Sequence, residues 1–99
     1  MIMKNKAVFL DRDGVINRMV YYEDHGIVDS PFSSNKFIVI PGALKAIKLI
    51  HKMGMEAILV SNQPGMAKGF YSLKTFNTIN KKMKFILTGA SCLDAVYYC

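Results

Sequence analysis

Cysteine is scarce in this chain, with only Cys92 and Cys99 among 99 residues. Thiols this few argue against a disulfide framework and leave reduced cysteines as the expectation. Long apolar runs are missing as well. The first ten residues offer only Ala7-Val8-Phe9-Leu10 before Asp11-Arg12-Asp13 interrupts them, which is too short for the apolar stretch of a signal peptide. Nothing approaches the roughly 18 apolar residues of a membrane-spanning helix, so no membrane partner and a cytoplasmic location are expected. The 3 prolines and 7 glycines are too few for a collagen-like or low-complexity chain, and a composition 52% hydrophobic and 20% charged belongs to one that buries a core. Neither internal repeat nor linker is visible, so residues 1–99 read as one domain with room for one site.

Acidic residues are also in short supply, 7 against 13 lysines and arginines, for a net charge of +6. The basic residues are spread along the chain, with one cluster at Lys81, Lys82 and Lys84. No aromatic or arginine pattern accompanies it, which favours a solvated helix face over a nucleic-acid stripe. A positive excess suits phosphorylated small molecules, and these are the expected partners.

Ala7 to Leu10 is a continuous apolar run, the pattern of a short strand buried on both faces of a parallel sheet. Asn17 to Lys36 reads as a long loop with a short hairpin, and Phe37 to Ile40 as a brief extended piece. Pro41-Gly42 opens a helix whose apolar positions Leu44, Ile47, Ile50 and Met53 share one face, and Gly54 ends it. Ala57 to Val60 is a second buried strand, followed by a turn-rich loop from Ser61 to Tyr71. Ser72 caps a helix striped by Leu73, Phe76, Ile79 and Met83, which Gly89 closes. Ala95 to Tyr98 is a third strand. The order βαβαβ predicts an α/β fold with a parallel sheet, and such sheets place ligands beyond the C-terminal ends of their strands.

Two polar clusters sit at those ends, Asp11-Arg12-Asp13-Gly14-Val15-Ile16-Asn17 and Ser61-Asn62-Gln63. Two carboxylates two residues apart can face one ligand once the strand has ended, and Gly14 permits the turn that keeps them accessible. They repel one another unless a cation intervenes, so a hard divalent metal with oxygen ligands is expected.

An apolar strand followed by Asp-x-Asp-Gly, and a second one ending in Ser-Asn-Gln-Pro-Gly, resembles the first two motifs of the haloacid dehalogenase superfamily. With Arg12, Asn17, Asp24-His25-Gly26, Asn62-Gln63 and Asp94 to Cys99, the chain is similar to the branch containing heptose bisphosphate and histidinol phosphatases. The resemblance runs from about Ala7 to Cys99 and implies a three-layer Rossmann-like parallel sheet without a large cap domain. It also implies a sugar-phosphate phosphomonoesterase that works through an aspartyl phosphate. Asp11 would be the nucleophile and Asp13 the general acid and base, both contributing to a Mg²⁺ site. Ser61 and Asn62 would hold the phosphoryl group. Arg12, Asp24, His25, Gly26, Ile27, Gln63 and Pro64 would contact the substrate, and Lys68 stands where the family commonly has a basic residue. A polynucleotide 3′-phosphatase, a histidinol phosphatase, and an inactive half-domain needing a partner chain are the alternatives.

The family continues well past the position of Cys99. The resemblance therefore implies a domain truncated after its third core strand, with the third and fourth motifs, a later lysine or arginine and a later Mg²⁺-binding aspartate absent. Cys99 would be an orphan Zn²⁺ ligand, since zinc needs the Cys and His residues of the missing half. Self-association or a complementing fragment is the corresponding expectation.

Overall fold

A computed structural model describes residues 6–99. Strand β1 (Ala7–Leu10) is followed by a hairpin of β2 (Val20–Tyr22) and β3 (Ile27–Asp29), then helix α1 (Ala43–Lys52) and strand β4 (Glu56–Ser61). A short helix α2 (Pro64–Ala67), the longer α3 (Leu73–Ile86) and strand β5 (Ala95–Tyr98) complete the order. The core sheet is parallel, in the order β1-β4-β5, with Leu10 level with Leu59 and Leu59 with Val96. This is the expected α/β architecture. No helix of the structure is long and apolar enough to cross a membrane.

Both crossovers step across the sheet in the same direction, and right-handed connections then place α1 and α3 on the same face. The core shows it: Ile47 of α1 and Ile79 and Met83 of α3 share one cluster with Ala57 and Leu59 of β4. Ile16 and Phe37, from the segments after β1 and before α1, close that cluster. Along β4 the side chains alternate between this core and the opposite face, where Val60 is exposed beside Phe9 and Tyr97. The expectation of strands buried on both faces is therefore corrected. A run of four apolar residues has no periodicity to tell one covered face from two.

Ser72 caps α3 by accepting a hydrogen bond from the Thr75 N–H at 3.1 Å. The helix ends at Ile86, ahead of the expected stop, and Gly89 instead starts a 3₁₀ turn spanning Gly89–Ser91. Pro64 and Gly65 belong to α2, where the sequence suggested only turn. Proline at the first helical position needs no N–H partner, so a turn signal and a helix start look alike there.

Candidate phosphoryl-transfer site

The parallel register brings the ends of β1 and β4 level, so Asp11-Arg12-Asp13 and Ser61-Asn62-Gln63 emerge side by side. After Asp11 the chain folds around one carbonyl. The Arg12 oxygen accepts from the N–H groups of Val15, Ile16 and Asn17 at 3.2, 2.8 and 3.2 Å, and the Gly14 N–H donates to the Asn17 oxygen at 2.7 Å. Gly14 holds a φ of 87°, a left-handed conformation that disfavours any side chain.

Asp11 is exposed, with one oxygen accepting the Arg12 N–H at 2.7 Å and the other unpaired among the described residues. Asp13 is held differently. Its Oδ1 accepts from Arg12 Nε and from Asn17 Nδ2, each at 3.0 Å, and its Oδ2 accepts from Gln63 Nε2 at 2.7 Å. Arg12 itself is 1% exposed, with its guanidinium carbon 5.9 Å from the Phe37 ring centre and 5.8 Å from that of Tyr98. The Asp13 charge and two aromatic faces offset the desolvation of that cation.

A cavity of about 280 Å³ opens over these strand ends, lined by Asp11, Asp13, Met19, Asp29, Ser30, Asn62 and Pro64. Three carboxylates and no lysine or arginine line it. A phosphate dianion would meet net repulsion there, so a bound cation is needed for any phosphate ester to settle. Mg²⁺ fits this donor set, because it commonly binds through one or two carboxylates and completes its shell with water and substrate oxygens. Among the described residues no group of three His, Cys, Asp or Glu side chains is placed to hold a metal by itself. Cys99 is a free, exposed thiol, and among the described residues no group of three metal-ligating side chains includes it.

The expected site residues therefore separate into groups. Asp11, Asp13, Asn62 and Pro64 share the cavity, while Ser61 is buried just behind it. Arg12 and Gln63, expected to touch substrate, are instead buried in the network that holds Asp13 and do not line the cavity. Asp24 and His25 line a second cavity of about 330 Å³ with Tyr21, Tyr22, Glu23, Phe32 and Lys36, and Gly26 and Ile27 line neither. Lys68 is exposed at the end of α2. Asp29 and Ser30, delivered by the return strand of the hairpin, are cavity residues with no motif of their own. Tyr71 is the other unanticipated member: it is buried, and its hydroxyl donates to Gln63 Oε1 at 2.9 Å. Burial pushes the Tyr71 phenol above its ordinary value, so it remains a donor at neutral pH.

No family model matches the chain. Among curated relatives, D-glycero-alpha-D-manno-heptose-1,7-bisphosphate 7-phosphatase of Burkholderia mallei is 39% identical over 98 residues, covering 98% of this chain and 48% of that protein. The D-glycero-beta-D-manno-heptose-1,7-bisphosphate 7-phosphatase of Haemophilus influenzae is 38% identical, over 96% of this chain and 48% of its own length. Its relatives are haloacid dehalogenase phosphatases, and the chain fits their N-terminal half. Among solved structures, D,D-heptose 1,7-bisphosphate phosphatase from B. bronchiseptica, complexed with magnesium and phosphate, superposes with a TM-score of 0.75 at 33% identity. That match covers 95% of this chain and 49% of the other. The chain thus spans about half the length of the phosphatases it matches.

Proposed function

We propose that residues 1–99 form the nucleophile-bearing part of a phosphomonoesterase acting on a phosphorylated sugar of the heptose bisphosphate type. The observation that carries this reading is the exposed Asp11 carboxylate at the end of β1, beside Asn62 at the end of β4, over a cavity whose lining demands a cation. The relatives named above, heptose bisphosphate phosphatases, support the substrate class.

In this reading an Asp11 oxygen attacks phosphorus in line, a new P–O bond forms to the carboxylate, and the bond to the sugar oxygen breaks. Asp13 gives its proton to the departing sugar oxygen. It then takes a proton from the water that attacks the aspartyl phosphate, releasing orthophosphate and restoring Asp11. Asn62 and the Ser61 hydroxyl orient the phosphoryl oxygens. Mg²⁺, held by the Asp11 carboxylate and the Asp13 carbonyl, would supply charge neutralisation at the phosphoryl group.

The test replaces the matching half of the Burkholderia mallei relative with residues 1–99 and follows hydrolysis of heptose bisphosphate by that chimera and by the chain alone. Asp11→Asn is expected to lower turnover by more than about a thousandfold, and EDTA to abolish it. A variant within about threefold of the parent, or indifference to EDTA, overturns the nucleophile assignment.

A further inference from the structure

Gln63 is 5% exposed, yet every hydrogen-bonding position of its amide is used. Nε2 donates to Asp13 Oδ2 at 2.7 Å and to Ser61 Oγ at 3.0 Å. Oε1 accepts from Arg12 Nη2 at 2.8 Å and from the Tyr71 hydroxyl at 2.9 Å. The orientation of this amide is fixed by its neighbours. Rotated by half a turn, its oxygen would face a carboxylate and its NH₂ a guanidinium, so the two contacts with charged groups would become unfavourable together, whereas the two hydroxyls could turn to suit either orientation.

Ser61 gains a direction from this arrangement. Its oxygen accepts from Gln63, and its own proton goes to no acceptor among the described residues. With its oxygen engaged as an acceptor, the Ser61 hydroxyl keeps its proton as the donor it can offer a phosphoryl oxygen in the proposed site, although the residue itself is buried behind the cavity lining. Gln63 thus joins the Asp13 carboxylate to the Ser61 hydroxyl across the gap between the two strand ends. The Tyr71 hydroxyl in turn holds Gln63, and the Tyr71 ring lies where a side chain on residue 65 would stand, since a Cβ on Gly65 would come within 2.7 Å of Tyr71 Cε1.

We infer that Gln63, held by Tyr71, is a positioning residue that sets the Ser61 hydroxyl and the Asp13 carboxylate in fixed relation for phosphoryl binding. The inference rests on the phosphatase reading for its ligand, but not for its geometry. It also explains why the polar residue after Asn62 is buried instead of facing substrate. A contact residue would need a free hydrogen-bonding position, and Gln63 has none.

The experiment has a structural arm and a binding arm, both on the 99-residue chain. In ¹⁵N-labelled protein the Gln63 side-chain amide, assigned by its loss in Gln63→Met, is expected to exchange slowly with water and to shift in Tyr71→Phe. Exchange as fast as an exposed glutamine's, or no response to Tyr71→Phe, overturns the inference whatever the protein catalyses. In the binding arm, uptake of orthophosphate with Mg²⁺ is measured by calorimetry. Gln63→Met is expected to weaken it about tenfold in the parent and by less than about threefold in a Ser61→Ala background, because the effect travels through Ser61. Equal losses in both backgrounds overturn the positioning route. Should Gln63→Met fail to melt cooperatively, Tyr71→Phe takes its place in the same cycle. If the amide is protected but the parent takes up no orthophosphate, the phosphatase reading fails first and the proposed role of Gln63 falls with it.

Discussion

His51 Nε2 lies 2.7 Å from Asp94 Oδ2, closing the C-terminal turn of α1 onto the segment that leads into β5. The other ring nitrogen is 2.8 Å from the Ala90 carbonyl oxygen, which can only accept. Both contacts are hydrogen bonds at once only when the imidazole carries two protons. Asp94 also accepts the Ala57 N–H at 2.7 Å, so the contact ties α1, β4 and β5 together.

A pH dependence of stability follows. The Ala90 carbonyl, and then Asp94, hold the His51 value above its usual 6.5. At Asp94 burial acts upward, but the hydrogen bonds from Ala57 and His51 outweigh it, and the value falls below 3.8. Stabilisation from His51 is fully present below about pH 6.5 and is lost as pH rises through its folded value. That from Asp94 is present above about pH 3.8 and is lost as pH falls through its own. His51→Gln is expected to cost less than about 1 kcal/mol near pH 6 and progressively less toward pH 9, read from urea melts. A cost that does not change with pH would mean the ring is neutral in the folded protein.

Gly65 and Tyr71 supply a second prediction. The ideal Cβ of Gly65→Ala would meet the Tyr71 ring at 2.7 Å, with Phe32 behind it at 3.5 Å, so the ring must move. Overpacking of this kind costs about 1–3 kcal/mol. Displacement of the ring should also free the Tyr71 hydroxyl from Gln63, which would show as faster exchange of the Gln63 amide. Thermal melts together with that amide signal test both consequences, and an unchanged melting point would show that α2 shifts without cost.

The reach of the sequence can be judged from particular residues. Asp11, Asp13 and Asn62 were legible because apolar strands that end in polar residues point to the carboxyl edge of a parallel sheet. Tyr71 and Ser30 were not, because each depends on where a loop returns in space. Gln63 was legible as a member of the cluster but not in its role, since a buried amide and a substrate-facing amide look the same in one dimension. The bare face of the sheet was hidden for another reason. It follows from the direction of two successive crossovers, which no single strand encodes.

The hairpin turn gives a third prediction. Asp24 and His25 line a cavity separate from that of Asp11, where Lys36 Nζ stands 4.8 Å from the Tyr22 ring centre. Residues there can touch the far part of a substrate but not its reacting phosphoryl group. Replacing Asp24 to Ile27 with glycine and serine in the chimera should raise KM for a sugar bisphosphate about tenfold and leave a small generic phosphate ester turned over at a similar rate. Equal loss on both substrates would point to damage to the hairpin instead.

The last prediction concerns the face of the sheet opposite α1 and α3. Phe9 is 67% exposed and Tyr97 59%, with Val60 on the central strand between them. Among the described residues, same-direction crossovers leave this face without a helix and make β1 an edge of the core sheet. An aromatic side chain can remove about 150–250 Å² from water when covered, so a contiguous apolar strip of this composition favours association. A second copy of the chain offers the same strip, and two such faces can meet about a twofold axis with Phe9 and Tyr97 of each copy in the contact. Sedimentation velocity over a concentration series is expected to show self-association of the 99-residue chain. Phe9→Ser combined with Tyr97→Ser should weaken that association by at least about tenfold, because aromatic anchors carry most of such contacts. Both side chains point away from the Ile47, Leu59 and Met83 core, so the double variant should keep its helical circular dichroism and melt cooperatively. A parent chain that stays monomeric at high concentration, or a double variant that associates as before, would show that this face is not the contact.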